Sequence, residues 1–168
     1  MDNLKEQFGR IYDQYIDKIY RFVYLKVSSE EIAEDITSKV FLKGWESYSK
    51  NSSIQNMNAF LYQIARNAVT DHYRESGRTK LVSTDSLAEF ADAGTNLHDK
   101  AVLSADIREM KSVLQNLKKD YQDIIMLHYL EDMSIQEISN IVNKPQVTVR
   151  VMLHRGLKAL KDELNQES

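Results

Sequence analysis

The chain has no cysteine, a single proline and only five glycines among its 168 residues. Without cysteine there is no disulfide and no thiolate metal site, which fits a reducing cytoplasm, the expected location. The four histidines, His72, His98, His128 and His154, are isolated from one another. None forms an i,i+4 pair of the kind that grips a metal on a helix, so neither metal nor cofactor is expected. No apolar run approaches the ~20 residues of a membrane span, and the opening MDNLKEQF lacks the apolar core of a signal peptide, so no membrane insertion is expected. The scattered glycines make no phosphate-cradling loop. Glu34 and Asp35 are adjacent and diverge on a helix, which excludes an acid/base pair there. Nothing in the spacing of serine, histidine and aspartate suggests a nucleophile with its base, and the chain is not expected to be an enzyme.

With so few residues that break helices, long amphipathic stretches dominate, and the fold class expected is all-α. A first apolar stripe, Phe8, Ile11, Tyr12, Tyr15, Ile16, Ile19, Val23 and Val27, has helical spacing over about five turns. Ser28 with Glu31 has the form of a capping box opening a second helix. That helix carries Ile32, Ile36, Val40, Phe41 and Trp45 and should end near residues 47–49. SYSKNSSIQN is a polar loop. A third helix, from about Asn56 to Glu75, is expected to turn Met57, Phe60, Leu61, Ile64, Ala68 and His72 inward. Residues 81–103 are acidic and rich in small side chains, and read as a linker with at most a short helix at 86–91. Helical periodicity returns with Ile107, Met110, Leu114 and Leu117, and again over 118–130. Two small helical domains follow, 1–76 and 105–168, joined by a flexible acidic linker at 77–104.

The most specific stretch is SIQEISNIVNKPQVTVRVMLHRGLKAL, from Ser134 to Leu160. Ser134 and Glu137 form a capping box. Ile135, Ile138, Ile141 and Val142 fall on one helical face. Asn143-Lys144-Pro145 ends that helix, because Asn tolerates a left-handed residue and Pro cannot continue. A second helix then presents Val149, Leu153, Leu157, Leu160 and Leu164 as its apolar stripe. This is a helix-turn-helix, the arrangement that seats its second helix in the major groove. With Leu153 inward, Thr148, Val151, Arg155 and Lys158 point outward, flanked by Arg150 and His154. Thr and Val can meet a thymine methyl, and Arg can hold a guanine edge or a phosphate. The plainer reading is a packing helix with solvated charges. Against it, Lys144–Lys161 holds five basic residues and no acidic one.

The net charge of −3 is unusual for a DNA binder, but it is unevenly spread. Residues 1–75 carry −1, residues 76–133 carry −3 and residues 134–168 carry +1. Phosphate affinity follows local charge, and the electrostatic footprint is weak even so. On the third helix, with Ile64 inward, Tyr62, Arg66, Val69 and Tyr73 should face outward. Aromatic rings interleaved with arginine suit unstacked bases, although on that helix alone half-buried tyrosines are the simpler account. In AEDITSKVFLKGW (33–45), Phe41 and Trp45 at i,i+4 are either core or a protein-docking anchor.

AEDITSKVFLKGW, then NAFLYQIARNAVTDHYR (58–74), then a helix-turn-helix ending in VTVRVMLHRGLKAL resembles an extracytoplasmic-function (ECF) sigma factor of the sigma-70 family. The resemblance covers about residues 8–76 and 107–164. It implies a promoter-specificity subunit that binds core RNA polymerase, recognises −10 and −35 promoter elements in promoter DNA, promotes DNA melting, and has an anti-sigma factor as a further partner. It assigns polymerase docking to Asp35, Phe41 and Trp45. It assigns −10 recognition and melting to Tyr62, Arg66, Asn67, Tyr73 and Arg74, with Asn51 in the loop that captures a flipped-out base. It assigns −35 recognition to Thr148, Arg150, Val151, His154, Arg155 and Lys158.

The chain departs from the family pattern at several places. Ser38-Lys39 stands where Gln-Glu is usual in the docking helix, and Phe60 where Trp is usual. Thr148-Val149-Arg150-Val151-Met152 replaces a common Thr-Val-Lys-Ser-Arg, so the outward Val151 should alter base preference. Lys144 takes the place of an apolar turn residue. Two other functions fit parts of the sequence. A plain helix-turn-helix regulator would have no use for the Tyr62/Arg66/Tyr73 face. A sequestering adaptor would not need the acid-free basic helix.

Overall fold

A computed structural model describes residues 2–51, 53–78 and 105–167. The linker expected at 81–103, with its short helix at 86–91, lies outside the described residues. Among those described, all regular structure is helical. The chain divides into two compact units, Met1–Leu103 and Ser104–Ser168.

The first unit packs three helices, α1 (Asp2–Tyr24), α2 (Glu30–Lys50) and α3 (Met57–Arg78). Its core is Ile19, Phe22, Val23, Leu25 and Val27 from α1 and the turn after it, Ala33, Ile36, Val40 and Phe41 from α2, and Leu61, Tyr62, Ala65 and Val69 from α3. The cap of α2 falls one residue later than the Ser28–Glu31 spacing suggested. Ser29 has extended backbone and its hydroxyl accepts the Ile32 N–H at 3.2 Å. Of two adjacent serines, the one that caps is set by the register that buries Ala33, Ile36 and Val40. Asn56 caps α3, its side-chain oxygen accepting from Ala59 N–H at 3.1 Å. Gly44 lets α2 and α3 approach, since a Cβ there would sit 3.0 Å from Leu61 Cδ2.

The second unit holds α4 (Ala105–Leu114), α5 (Lys119–Ile125), which continues into a π-helical turn (Met126–Leu130), α6 (Ile135–Val142) and α7 (Gln146–Glu167). Leu114, Ile124, Met126, Leu127, Ile138, Ile141 and Val149 are buried at its centre. Buried Gln122 donates to the carbonyls of Leu114 (2.5 Å) and Leu117 (3.1 Å), tying α5 to the turn that follows α4. The turn between α6 and α7 follows the expected chemistry. Ser134 Oγ accepts from Glu137 N–H at 3.1 Å, and Glu137 Oε1 accepts from Ser134 N–H at 3.2 Å. Asn143 closes α6 in the left-handed region (φ 58°, ψ 49°). Ser139 Oγ donates to the Lys144 carbonyl at 2.5 Å, fixing the turn before Pro145.

Candidate nucleic-acid interface

On α7 the side opposite the core is polar and basic. Val149 is fully buried, while Thr148, Arg150, Val151, His154, Arg155 and Lys158 are all exposed. At 3.6 residues per turn they span an arc of roughly 160°, so α6 and the turn hold one continuous surface outward. The sequence reading missed Val147, which is 69% exposed on that surface. Its place beside Thr148, four residues before Val151, could have revealed it.

The orientation expected for α3 is wrong by roughly 100°, about one residue's rotation. Tyr62 and Val69 are buried, at 0% and 2% exposure. The Tyr62 ring meets Phe22 edge-on, with centroids 5.3 Å apart. Ile64, taken as the inward reference, is only half-buried; the core side is Leu61, Tyr62, Ala65 and Val69. The small Ala65 admits close helix packing, and a Tyr ring buries more apolar surface than the Ile it displaces from the core side. Tyr73 is half-buried, and its hydroxyl donates to the Lys26 carbonyl. Burial raises its pKa above the ordinary value. Arg66 is half-buried, and the outward face carries Asn67, Thr70, Asp71 and Arg74. Asn51 is exposed in the preceding loop, where its side-chain oxygen accepts from the Ser53 N–H (3.2 Å) and hydroxyl (2.5 Å).

On α2 the expected docking residues separate. Asp35 is exposed and pairs with Lys39 at 3.2 Å. Phe41 is a core residue, edge-on to Tyr12 with centroids 5.0 Å apart, rather than an exposed anchor. Trp45 is half-buried against Phe8. The solvent stripe of α2 is Asp35, Ser38, Lys39, Leu42 and Glu46, with Leu42 60% exposed at its centre. Leu42 was hidden in the sequence because it extends the apolar run beside Phe41.

His72 on α3 sits near this stripe. Its pKa is lowered, chiefly by burial and also by Lys39, with Glu75 and Asp35 acting the other way. The unfolded chain therefore takes up a proton first as pH falls. The stability that neutral His72 contributes is present above its ordinary 6.5 and is lost as pH drops from there through the folded value. His72→Gln should flatten the fall in melting temperature between about pH 7 and 5.5. An equal slope in wild type and variant would remove His72 as its source.

Among the described residues no group of three or more His, Asp or Glu could hold a metal, and no helix is long and apolar enough to cross a membrane. The described residues thus form a three-helix unit and a separate all-α unit that ends in a helix-turn-helix.

The family models for sigma-70 region 2 and sigma-70 region 4 match residues 11–79 and 107–160. The chain is 28% identical to the ECF RNA polymerase sigma factor SigW of Bacillus subtilis, covering 95% of this chain and 90% of that one. It is 27% identical to the ECF sigma factor BldN of Streptomyces coelicolor over 92% of this chain, and spans 59% of that relative's length. Its fold matches the sigma factor RpoE of Bartonella quintana, solved with the anti-sigma factor NepR, with a TM-score of 0.75 at 20% identity, covering 95% of this chain and 98% of that one. The chain belongs to the sigma-70 family, in its ECF group.

Proposed function

We propose that this chain binds core RNA polymerase in the cytoplasm, directs it to promoters through −10 and −35 elements, and helps separate the strands. It acts by binding, with no covalent chemistry of its own. The observation that carries this reading is the exposed face of α7 from Thr148 to Lys158, which carries Arg150, Arg155 and Lys158 and no acidic residue. Residues 105–168 would read the −35 element, residues 1–76 would dock on polymerase and engage the −10 element, and 77–104 would connect them. Buried Tyr62 is left out of the base-contacting set, which becomes Asn51, Arg66, Asn67, Tyr73 and Arg74. Buried Phe41 supports the docking helix from beneath, and Leu42 takes its place as the apolar anchor beside Asp35. An anti-sigma factor, as seen with RpoE, is the proposed inhibitor of these faces.

The docking assignment has a clean variant. The Asp35–Lys39 pair is largely solvent-exposed, and such i,i+4 pairs are worth ~0.3–0.5 kcal/mol. Asp35→Ala should therefore keep the helicity and melting temperature of the wild type while losing affinity for core polymerase about tenfold, as for a hydrogen-bonded charge at an interface. Unchanged polymerase affinity would remove Asp35 from the interface.

A further inference from the structure

We propose that Val147 and Val151 form a two-pronged reader of thymine methyl groups in the −35 element, making this chain selective for A·T pairs at two nearby positions. The inference rests on the promoter reading above and adds its base chemistry. Val147 and Val151 are 69% and 42% exposed on α7, one turn apart, while Val149 between them is fully buried. Two β-branched residues displayed on an exposed helix face lower its helix propensity and leave apolar surface in water. The methyl-bearing Thr148 extends the patch and is also exposed.

The surroundings specify the occupant. Arg150, His154, Arg155 and Lys158 ring the patch, and no acidic residue occurs between Lys144 and Lys161. A second copy of this face would bring like charges together, so the patch suits a polyanion. In the major groove the apolar feature that distinguishes one base pair from another is the thymine C5-methyl. Residues four apart on a helix rise about 6 Å. Successive bases rise about 3.4 Å per strand, so the two valines can reach methyls no more than about two steps apart.

The test uses holoenzyme assembled from core polymerase and the full chain, with a −35 sequence selected from a randomised library. Each −35 thymine on either strand is replaced in turn by deoxyuridine, which removes the methyl and keeps the pairing edge. Two positions should weaken promoter binding about fourfold each, the worth of one buried methyl at ~0.8 kcal/mol. Val147→Ala should abolish discrimination between thymine and uracil at one of them, and Val151→Ala at the other. Alanine favours the helix, so both variants should fold, and circular dichroism checks this. Placing 5-methylcytosine at those positions should recover part of the loss in wild type. Equal binding of thymine and uracil throughout, or a selected −35 element without thymine, would overturn the proposal while leaving the promoter function standing. So would undiminished discrimination in both alanine variants, or an effect of those variants on a protein partner alone. Failure of the holoenzyme to select any −35 sequence would overturn the promoter reading itself, and this proposal with it.

Discussion

Tyr62→Ala should unfold the N-terminal unit rather than disable a DNA contact. The side chain is fully buried and its ring abuts Phe22. Truncating a buried aromatic costs ~3–5 kcal/mol, against a total stability of only ~5–15 kcal/mol for a whole domain. Helical circular dichroism from residues 2–78 should fall, and amide exchange there should accelerate. Polymerase binding and strand opening should be lost together. Tyr62→Phe keeps the ring and should fold with at most ~1.5 kcal/mol of lost stability. A Tyr62→Ala protein that melted like wild type yet failed only in opening would mean that the ring faces DNA after all.

Gly156→Leu should have a comparably large effect on the other unit. Gly156 sits mid-helix in α7, where glycine costs ~1 kcal/mol relative to alanine. A Cβ at this position would lie 3.1 Å from Ile125 Cδ1 and 3.3 Å from Tyr121 Cβ. Helices α5 and α7 therefore cross at close range, and a leucine must push them apart. Overpacking of this kind costs ~1–3 kcal/mol and more where the backbone has to shift. Amide protection over residues 105–167 should collapse while residues 2–78 keep theirs, and −35 recognition should fail. Retained protection across α5 and α7 would show that the crossing can open without penalty.

How much of this could be read beforehand depended on how local the cause was. The helix-turn-helix was legible because each signal acts within a few residues. The Ser134–Glu137 box, left-handed Asn143 and Pro145 fix the turn, and the apolar stripe from Val149 to Leu160 fixes the rotation of α7, while Leu164, expected on the same stripe, is exposed. The outward set from Thr148 to Lys158 followed from that rotation.

On α3 apolar and aromatic residues surround much of the helix, so periodicity allowed more than one inward face. The choice between Ile64 and Tyr62 was made by a partner on another helix, Phe22, which no local pattern reveals. Phe41 was ambiguous for the same reason, because an aromatic residue serves equally as core or anchor until its neighbour Tyr12 is placed. Exposed Leu42 was absorbed into an apolar run, and exposed Val147 was missed although polar Gln146 and Thr148 flank it. The π-helical turn at Met126–Leu130 has no composition signal, and the Ser29 cap differed from Ser28 only through tertiary register.

The most direct measurement is run-off transcription with core polymerase, with and without the full chain, on templates randomised at −10 and −35. The proposed function predicts no specific transcript from core alone. With the chain added, it predicts enrichment of a −10 and a −35 element at fixed spacing, and permanganate-reactive thymines near −10. It also predicts weak duplex binding by the free chain in a gel shift at physiological salt, because one basic stretch in a chain of net charge −3 makes few phosphate contacts. Tight, sequence-specific binding by the free chain, with no transcript enriched when core polymerase is present, would contradict it and identify a regulator that acts on duplex DNA alone.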